Sequence, residues 1–271
     1  MSYLSREAST FSDKLWEDID AAVIEAARRA LVGRRFLHIF GPLGIGVNYI
    51  AIDDVDEVDE VSEKGIITTK GRKYVEIPTI YDDFTLLAKD LENSEKMGFP
   101  VDLSKAMASA EACALKEDRL IFYGDSELGY EGLLTAEGIN KVAKKDWSEG
   151  ENAFIDVASA IELLTENGIY GPYTLVLSLD LYMQLQRLQP GTGLLEIDRI
   201  SKLVDGRIYK SPVLGKGKAV LVSPESRNMD LVIGQDMAAA YLEQKDLNHV
   251  LRVLETVLLR IKRRKAIVVF E

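Results

Sequence analysis

The chain has 271 residues, with 33 Lys and Arg against 44 Asp and Glu, for a formal net charge of -11. That acidic balance argues against a nucleic-acid binder, which needs a basic footprint, while 47% hydrophobic residues suffice for a sizeable core in one large domain or two smaller ones. The single cysteine, Cys113, excludes a disulfide framework within the chain and predicts a reducing cytoplasm. No basic stretch followed by an apolar one opens the sequence, and no apolar run approaches the roughly 18–20 residues of a membrane span. A soluble cytoplasmic protein is expected.

The spacing predicts a helix over residues 13–32. Leu15, Ile19, Val23, Ala27 and Leu31 form one face, and Trp16 and Ile24 widen it. Ser12 or Asp13 is placed to cap its start, and Gly33 to end it. Residues 34–40, RRFLHIF, read as a short strand. GPLGIG follows at residues 41–46, and residues 47–52 look extended again. Residues 53–78 carry an acidic and a basic alternating arm joined near EKG, the pattern of a long β-hairpin. Its apolar content is low, so it is expected to lie on another surface, such as a second subunit.

Helices are predicted over residues 84–93, 103–122 and 153–167. The second presents Leu103, Met107, Ala110, Cys113 and Ala114 on one face. A strand at residues 172–178, a helix near 179–188 and a loop, QPGTG, at 189–193 come next. The last third reads mostly as strands. In the longest, Leu251, Val253, Val257, Leu259 and Ile261 alternate with Arg252, Thr256, Arg260 and Lys262, as in a half-buried antiparallel strand. The class is α+β.

Motifs for catalysis are sparse. Gly44 and Gly46 fit the start of a dinucleotide-binding loop, but Tyr49 holds the last glycine position and no helix start follows. A turn is the expected role. There is no Walker lysine, no G-x-S-x-G elbow, no H-E-x-x-H and no C-x-x-C. The acidic run DDVDEVDEVSE lacks the spacing and the glycine of an EF-hand. Cys113 sits on an apolar helical face, as a core thiol does. No catalytic residue and no metal site are expected, and the chain is read as no enzyme.

Six stretches in order resemble the encapsulin family, bacterial and archaeal shell proteins with the HK97 phage capsid fold: LVGRRFLHIFGPLGIG (31–46), EDRLIFYGDSELGYEGLL (117–134), NGIYGPYTLVLS (167–178), SPVL (211–214), IGQDMAAAYL (233–242) and LLRIKRRKAI (258–267). The resemblance covers essentially the whole chain. It implies a P-domain of residues 1–53, 80–131 and 224–271, with the N-terminal helix and a spine helix. It also implies an extended E-loop over 54–79 and an A-domain over 132–223. GPLGIG then becomes a bend into the base of the E-loop.

The resemblance further implies a hollow icosahedral shell of many copies. Such a shell encloses cargo enzymes, such as ferritin-like iron proteins or dye-decolourising peroxidases, that carry a C-terminal targeting peptide. The loop with Gln186, Gln189, Pro190, Gly191, Thr192 and Gly193 is then expected at a five-fold pore. Leu15, Ile19, Val23, Arg34, His38, Leu231 and Ile233 are the candidate cargo-peptide groove, each apolar member being equally readable as core. Ala88 and Ile80 stand where some relatives hold flavin, the former in place of a tryptophan, so no flavin and no other cofactor are expected. Neither a membrane nor nucleic acid is expected as a partner. The rival readings are a phage major capsid protein, disfavoured because the chain begins directly with its short helix, and, more distantly, a soluble enzyme of unknown class.

Overall fold

Ser12 starts the first helix as expected: its Oγ accepts the Leu15 N–H at 3.3 Å. In this computed structural model, which describes residues 3–53, 58–189 and 191–271, helix α1 spans Asp13–Ala30 and buries Trp16, Ile19, Val23, Ala26 and Ala27. Ile24, expected on that face, is exposed at its flank. The helix stops at Ala30 rather than at residue 32. The N–H groups of Val32 and Gly33 donate instead to the Asp118 carboxylate, at 2.8 to 3.1 Å.

The strand expected over 34–40 shrinks to β1 (Ile39–Phe40), because Gly33–Arg35 form a 3-10 turn that turns Arg34 inward. Next come β2 (Tyr49–Asp53), β3 (Asp59–Glu63), β4 (Ile66–Lys70), β5 (Arg72–Glu76) and β6 (Thr79–Leu86). The pairs β2–β5 and β3–β4 make the expected long hairpin, turning at Lys64 and Gly65 with positive φ at both. It starts earlier than residue 54, at Tyr49, and the expected residues 54–57 lie outside the described ones.

Helix α2 (Ala88–Met97) has the expected length but starts four residues later than the helix expected from residue 84. Phe84 and Leu86 belong instead to β6, whose Asp83 and Asp82 are held by Arg252 and Lys116. Pairing with β14 along its length and burial of Phe84 and Leu86 outweigh the poor strand propensity of the two aspartates. Then follow α3 (Ser104–Tyr123), β7 (Gly124–Asp125), β8 (Tyr130–Glu131), β9 (Asn140–Val142), α4 (Asn152–Glu166), β10 (Thr174–Leu177), α5 (Leu179–Gln184) and α6 (Glu196–Ser201). The chain ends with β11 (Ile208–Lys210), β12 (Ala219–Val222), β13 (Met229–Lys245), β14 (Asn248–Ile261) and β15 (Ile267–Phe270).

Two main sheets organise this α+β fold. One has the order β1-β13-β14-β6, the other β11-β10-β12-β15-β9. Helices α1 and α3 cover the first sheet, and Ala106, Ala110 and Ala114 of α3 are small enough to let them approach closely. Strand β14 alternates as expected up to Arg252 but is buried on both faces from Val253 to Leu259. Leu258 points to the second face and meets Val232, Ile77, Ile50, Ile52 and Val75 beneath the hairpin base. β15 pairs with β12 and β9, so residues 267–270, expected in the unit with 224–271, lie in the second sheet. Its sequence IVVF is apolar without alternation, as suits a strand with both faces covered.

Candidate functional site

Three surfaces hold the residues singled out above. The first is the hairpin. Its base is anchored through Ile50, Ile52 and Val75, and Arg72 pairs with Asp53 through two hydrogen bonds of 2.7 and 2.8 Å. Its outer half is uncovered: every residue of β4 is exposed, and Ile66 and Ile67 near the tip stand 65% and 66% exposed. Two isolated strands are marginal in water, and two adjacent exposed isoleucines add an apolar surface that this chain does not cover.

The GPLGIG segment leads into that base. Leu43 N donates to Ile233 O at 3.0 Å and Gly44 N to Gly234 O at 2.8 Å, so the loop lies along β13. Gly41 has φ of 139°, and a Cβ there would meet the Ile233 carbonyl oxygen at 2.2 Å. The glycine is needed for close backbone approach, and the bend is structural.

The second surface is the loop between α5 and α6. An antiparallel bridge, Leu188 to Leu195, closes it, and Gln189 N donates to Leu194 O at 2.9 Å. Thr192 Oγ1 donates to Gln189 O at 3.0 Å. Gln189 is buried and braces the loop from inside, whereas Gly191 and Gly193, with positive φ, and Thr192 form its exposed tip. Gln186 lies at its entry, where its N–H donates to Met183 O. Pro190 lies outside the described residues. Arg187 and Glu196, which sequence reasoning passed over, fix the loop's feet: Arg187 Nε reaches Glu196 Oε2 at 2.8 Å and its Nη2 reaches Gly150 O at 2.8 Å. Nothing in the local sequence signals that Glu196 is fully buried.

The third surface surrounds α1. The seven groove candidates do not assemble there. Ile19 and Val23 are buried against Phe84, Ala110 and Leu251, and Leu231 and Ile233 are buried in the core that continues into the second sheet. These four offer no surface to a peptide within a single chain, because helix-spaced and strand-spaced apolar residues here serve the core. Arg34 is engaged by Glu117 and Glu255, and His38 is exposed beside β1, with its carbonyl accepting from Leu231 N.

Leu15 alone of the seven lines a concavity, of about 740 Å³, between the start of α1 and α2. Phe11, Leu91, Phe99 and Val101 supply its apolar walls and Asp18, Glu92 and Glu95 its acidic ones. His249, hydrogen-bonded through Nδ1 to the Tyr241 hydroxyl at 3.2 Å, also lines it, and burial holds its imidazole below the usual range. Ala88 lies in the same concavity, where its N–H donates to Asn248 Oδ1, and presents no ring for stacking. Ile80 is half-buried on β6 against the core. Among the described residues no group of three or more His, Cys, Asp or Glu is placed to hold a metal ion, and no helix is long and apolar enough to cross a membrane.

The family described as "Encapsulating protein for peroxidase" matches residues 1–258. The type 1 encapsulin shell protein EncA of Myxococcus xanthus (strain DK1622) is 43% identical over 277 residues, covering 99% of this chain and 96% of that protein. A virus-like particle from Pyrococcus furiosus superposes with a TM-score of 0.78 at 21% identity, covering 94% of this chain and 99% of that one. The capsid of Myoviridae phage XM1 superposes with a TM-score of 0.61 at 14% identity, covering 88% and 90%. These two structures share the fold, that of HK97-like capsids.

Proposed function

Because the chain belongs to the encapsulin family, whose members are structural shell proteins rather than enzymes, we propose that its hairpin is the E-loop that joins copies into a closed icosahedral shell around a cargo enzyme. The chain is a shell protein that forms homo-oligomeric nanocompartments. The observation that carries the E-loop assignment is the uncovered outer hairpin, with Ile66 and Ile67 exposed on an arm that cannot hold itself up. In a shell each copy supplies the surface that the next copy's arm lacks.

On this reading residues 3–53, 80–131 and most of 224–266 act as the P-domain, and residues 132–223, joined by 267–270, act as the A-domain. The loop with Gln186, Gln189, Thr192 and the two glycines approaches a five-fold pore that passes ions and small molecules. The cargo is an enzyme such as a peroxidase or a ferritin-like iron protein. Its C-terminal targeting peptide docks beside α1, and the accessible candidates among those named are Leu15 and His38. With Ala88 and Ile80 in place, the shell binds no flavin and purifies colourless. The lone buried thiol suits a reducing cytoplasm.

The deciding experiment is negative-stain electron microscopy of the chain expressed alone, after size-exclusion chromatography. Uniform hollow particles are expected. A discrete monomer or small oligomer would overturn the reading of the hairpin as a self-sufficient assembly arm. Co-expression with a reporter bearing a candidate cargo's C-terminal peptide then tests docking. The peptide must bring the reporter into the particle fraction, and a reporter without it must stay outside.

A further inference from the structure

Where the N-terminal segment meets the spine helix α3, one cation faces two fully buried glutamates. Arg34 donates to Glu117 through Nε at 2.9 and 3.0 Å and through Nη2 at 2.8 Å. The same Nη2 reaches Glu255 Oε2 of β14 at 2.5 Å, and Nη1 reaches Asp236 of β13 at 2.6 Å. The Asp236 side chain is mostly in water. Glu117 and Glu255 have no exposed surface. Two negative charges on one guanidinium in a dry site would leave one uncompensated.

Among the described residues no second cation is paired with them. On α3, Lys116 turns away to Tyr81 O and Asp82, Cys113 is a neutral thiol, and Asp118 is occupied by the N–H groups of Val32 and Gly33. On β6, Asp83 is taken by Arg252 and Asp82 by Lys116. Arg35, beside Arg34, donates to the carbonyls of Arg28 and Arg29. Meanwhile Glu255 Oε1 is buried with no hydrogen-bond partner. A proton on that carboxyl removes the excess charge, and Glu117 lies within hydrogen-bonding reach of it.

We infer that Glu255 carries a proton shared with the Glu117 carboxylate, and that this proton latches residues 31–34 to the spine helix, so that alkaline conditions release the N-terminal segment. Burial foremost, and then the neighbouring Glu117 charge, hold the Glu255 carboxyl well above the usual carboxylate range. A carboxyl raised in the folded state stabilises fully below its unfolded value. That stability declines from the unfolded value upward, each pH unit between the two values favouring the released form about tenfold, and it is gone above the folded value. Asp118 acts in the same direction at lower pH: burial pushes it up to about 7 against the pull of its two backbone donors. This latch does not depend on the shell reading, since it lies within one chain.

The test compares full-length wild type with E255Q and E117Q, either of which removes the second buried charge without changing shape. The thermal midpoint and the hydrogen exchange of the Val32 and Gly33 amides are followed from neutral to alkaline buffer, with exchange corrected for intrinsic rate. Wild type is expected to lose midpoint temperature and amide protection together as pH rises, and the amides to lose distinctly less of both. D118N separates the contribution of Asp118, which comes earlier in pH. If E255Q does not fold, E117Q gives the same comparison. Parallel pH profiles for wild type and the amide variants, or a wild type indifferent to alkaline pH, would overturn the latch.

Discussion

Arg187 Nε lies 2.8 Å from Oε2 of Glu196, and this pair joins the two feet of the loop that we assign to a pore. Arg187 retains some solvent contact while Glu196 has none, so the cost of separating them falls on the glutamate. Replacing Arg187 with alanine leaves a buried carboxylate facing nothing. The R187A chain is expected to lose on the order of 3 kcal/mol of stability, read as a lower denaturant midpoint. E196Q keeps an acceptor for the guanidinium and should lose less. Equal losses in the two variants would mean that the pair contributes shape and not charge.

The two ends of GPLGIG should respond in opposite ways to added side chains. G41A places a Cβ 2.2 Å from the Ile233 carbonyl oxygen at a φ of 139°, and is expected to lose on the order of 3 kcal/mol. At Gly46 nothing lies within 4 Å of the added atom, so G46A should stay within about 0.5 kcal/mol of wild type. Thermal melts of both variants check this. A tolerated G41A would show that the loop can leave β13 freely.

Cys113 is expected to be chemically silent. Burial foremost pushes its thiol up to about 12, so no thiolate forms across the working pH range. Iodoacetamide should leave the native protein unmodified at neutral pH and alkylate it fully in denaturant, as followed by intact mass. Ready labelling of the native chain would place the thiol at an opening that the fold does not contain.

Charging the hairpin tip should separate assembly from folding. Ile66 and Ile67 touch no core, so the double variant I66D/I67D is expected to keep the wild-type circular dichroism and melting of the isolated chain. Its particles should fail to form, with the protein eluting as small species on size exclusion. Normal particles from this variant would remove the tip from the assembly contact.

Much of this molecule is legible without coordinates. The cap at Ser12, the helical stripe of α1, the alanine face of α3 and the turn at Lys64 and Gly65 follow from local rules, since each depends on neighbours a few residues away. The order of family motifs likewise pointed to the shell fold. Local rules failed where a distant partner decides. Residues 79–86 form a strand because they pair along β14 and bury Phe84 and Leu86. β14 is buried twice because a hairpin from residues 49–77 lies over Leu258.

The groove candidates show the same limit. Apolar periodicity marks a face that something covers, but not whether that cover is the chain's own core or a guest. For Ile19, Val23, Leu231 and Ile233 the cover is the core, and for Leu15 a concavity remains open. The buried charges are the limiting case. Arg34, Glu117 and Glu255 lie up to 221 residues apart in sequence, and each alone is an ordinary surface residue type. Sequence determined the family and the locally specified elements. Only the tertiary structure decided which charges leave water together, because desolvation depends on what the folded chain brings alongside and not on what stands next in line.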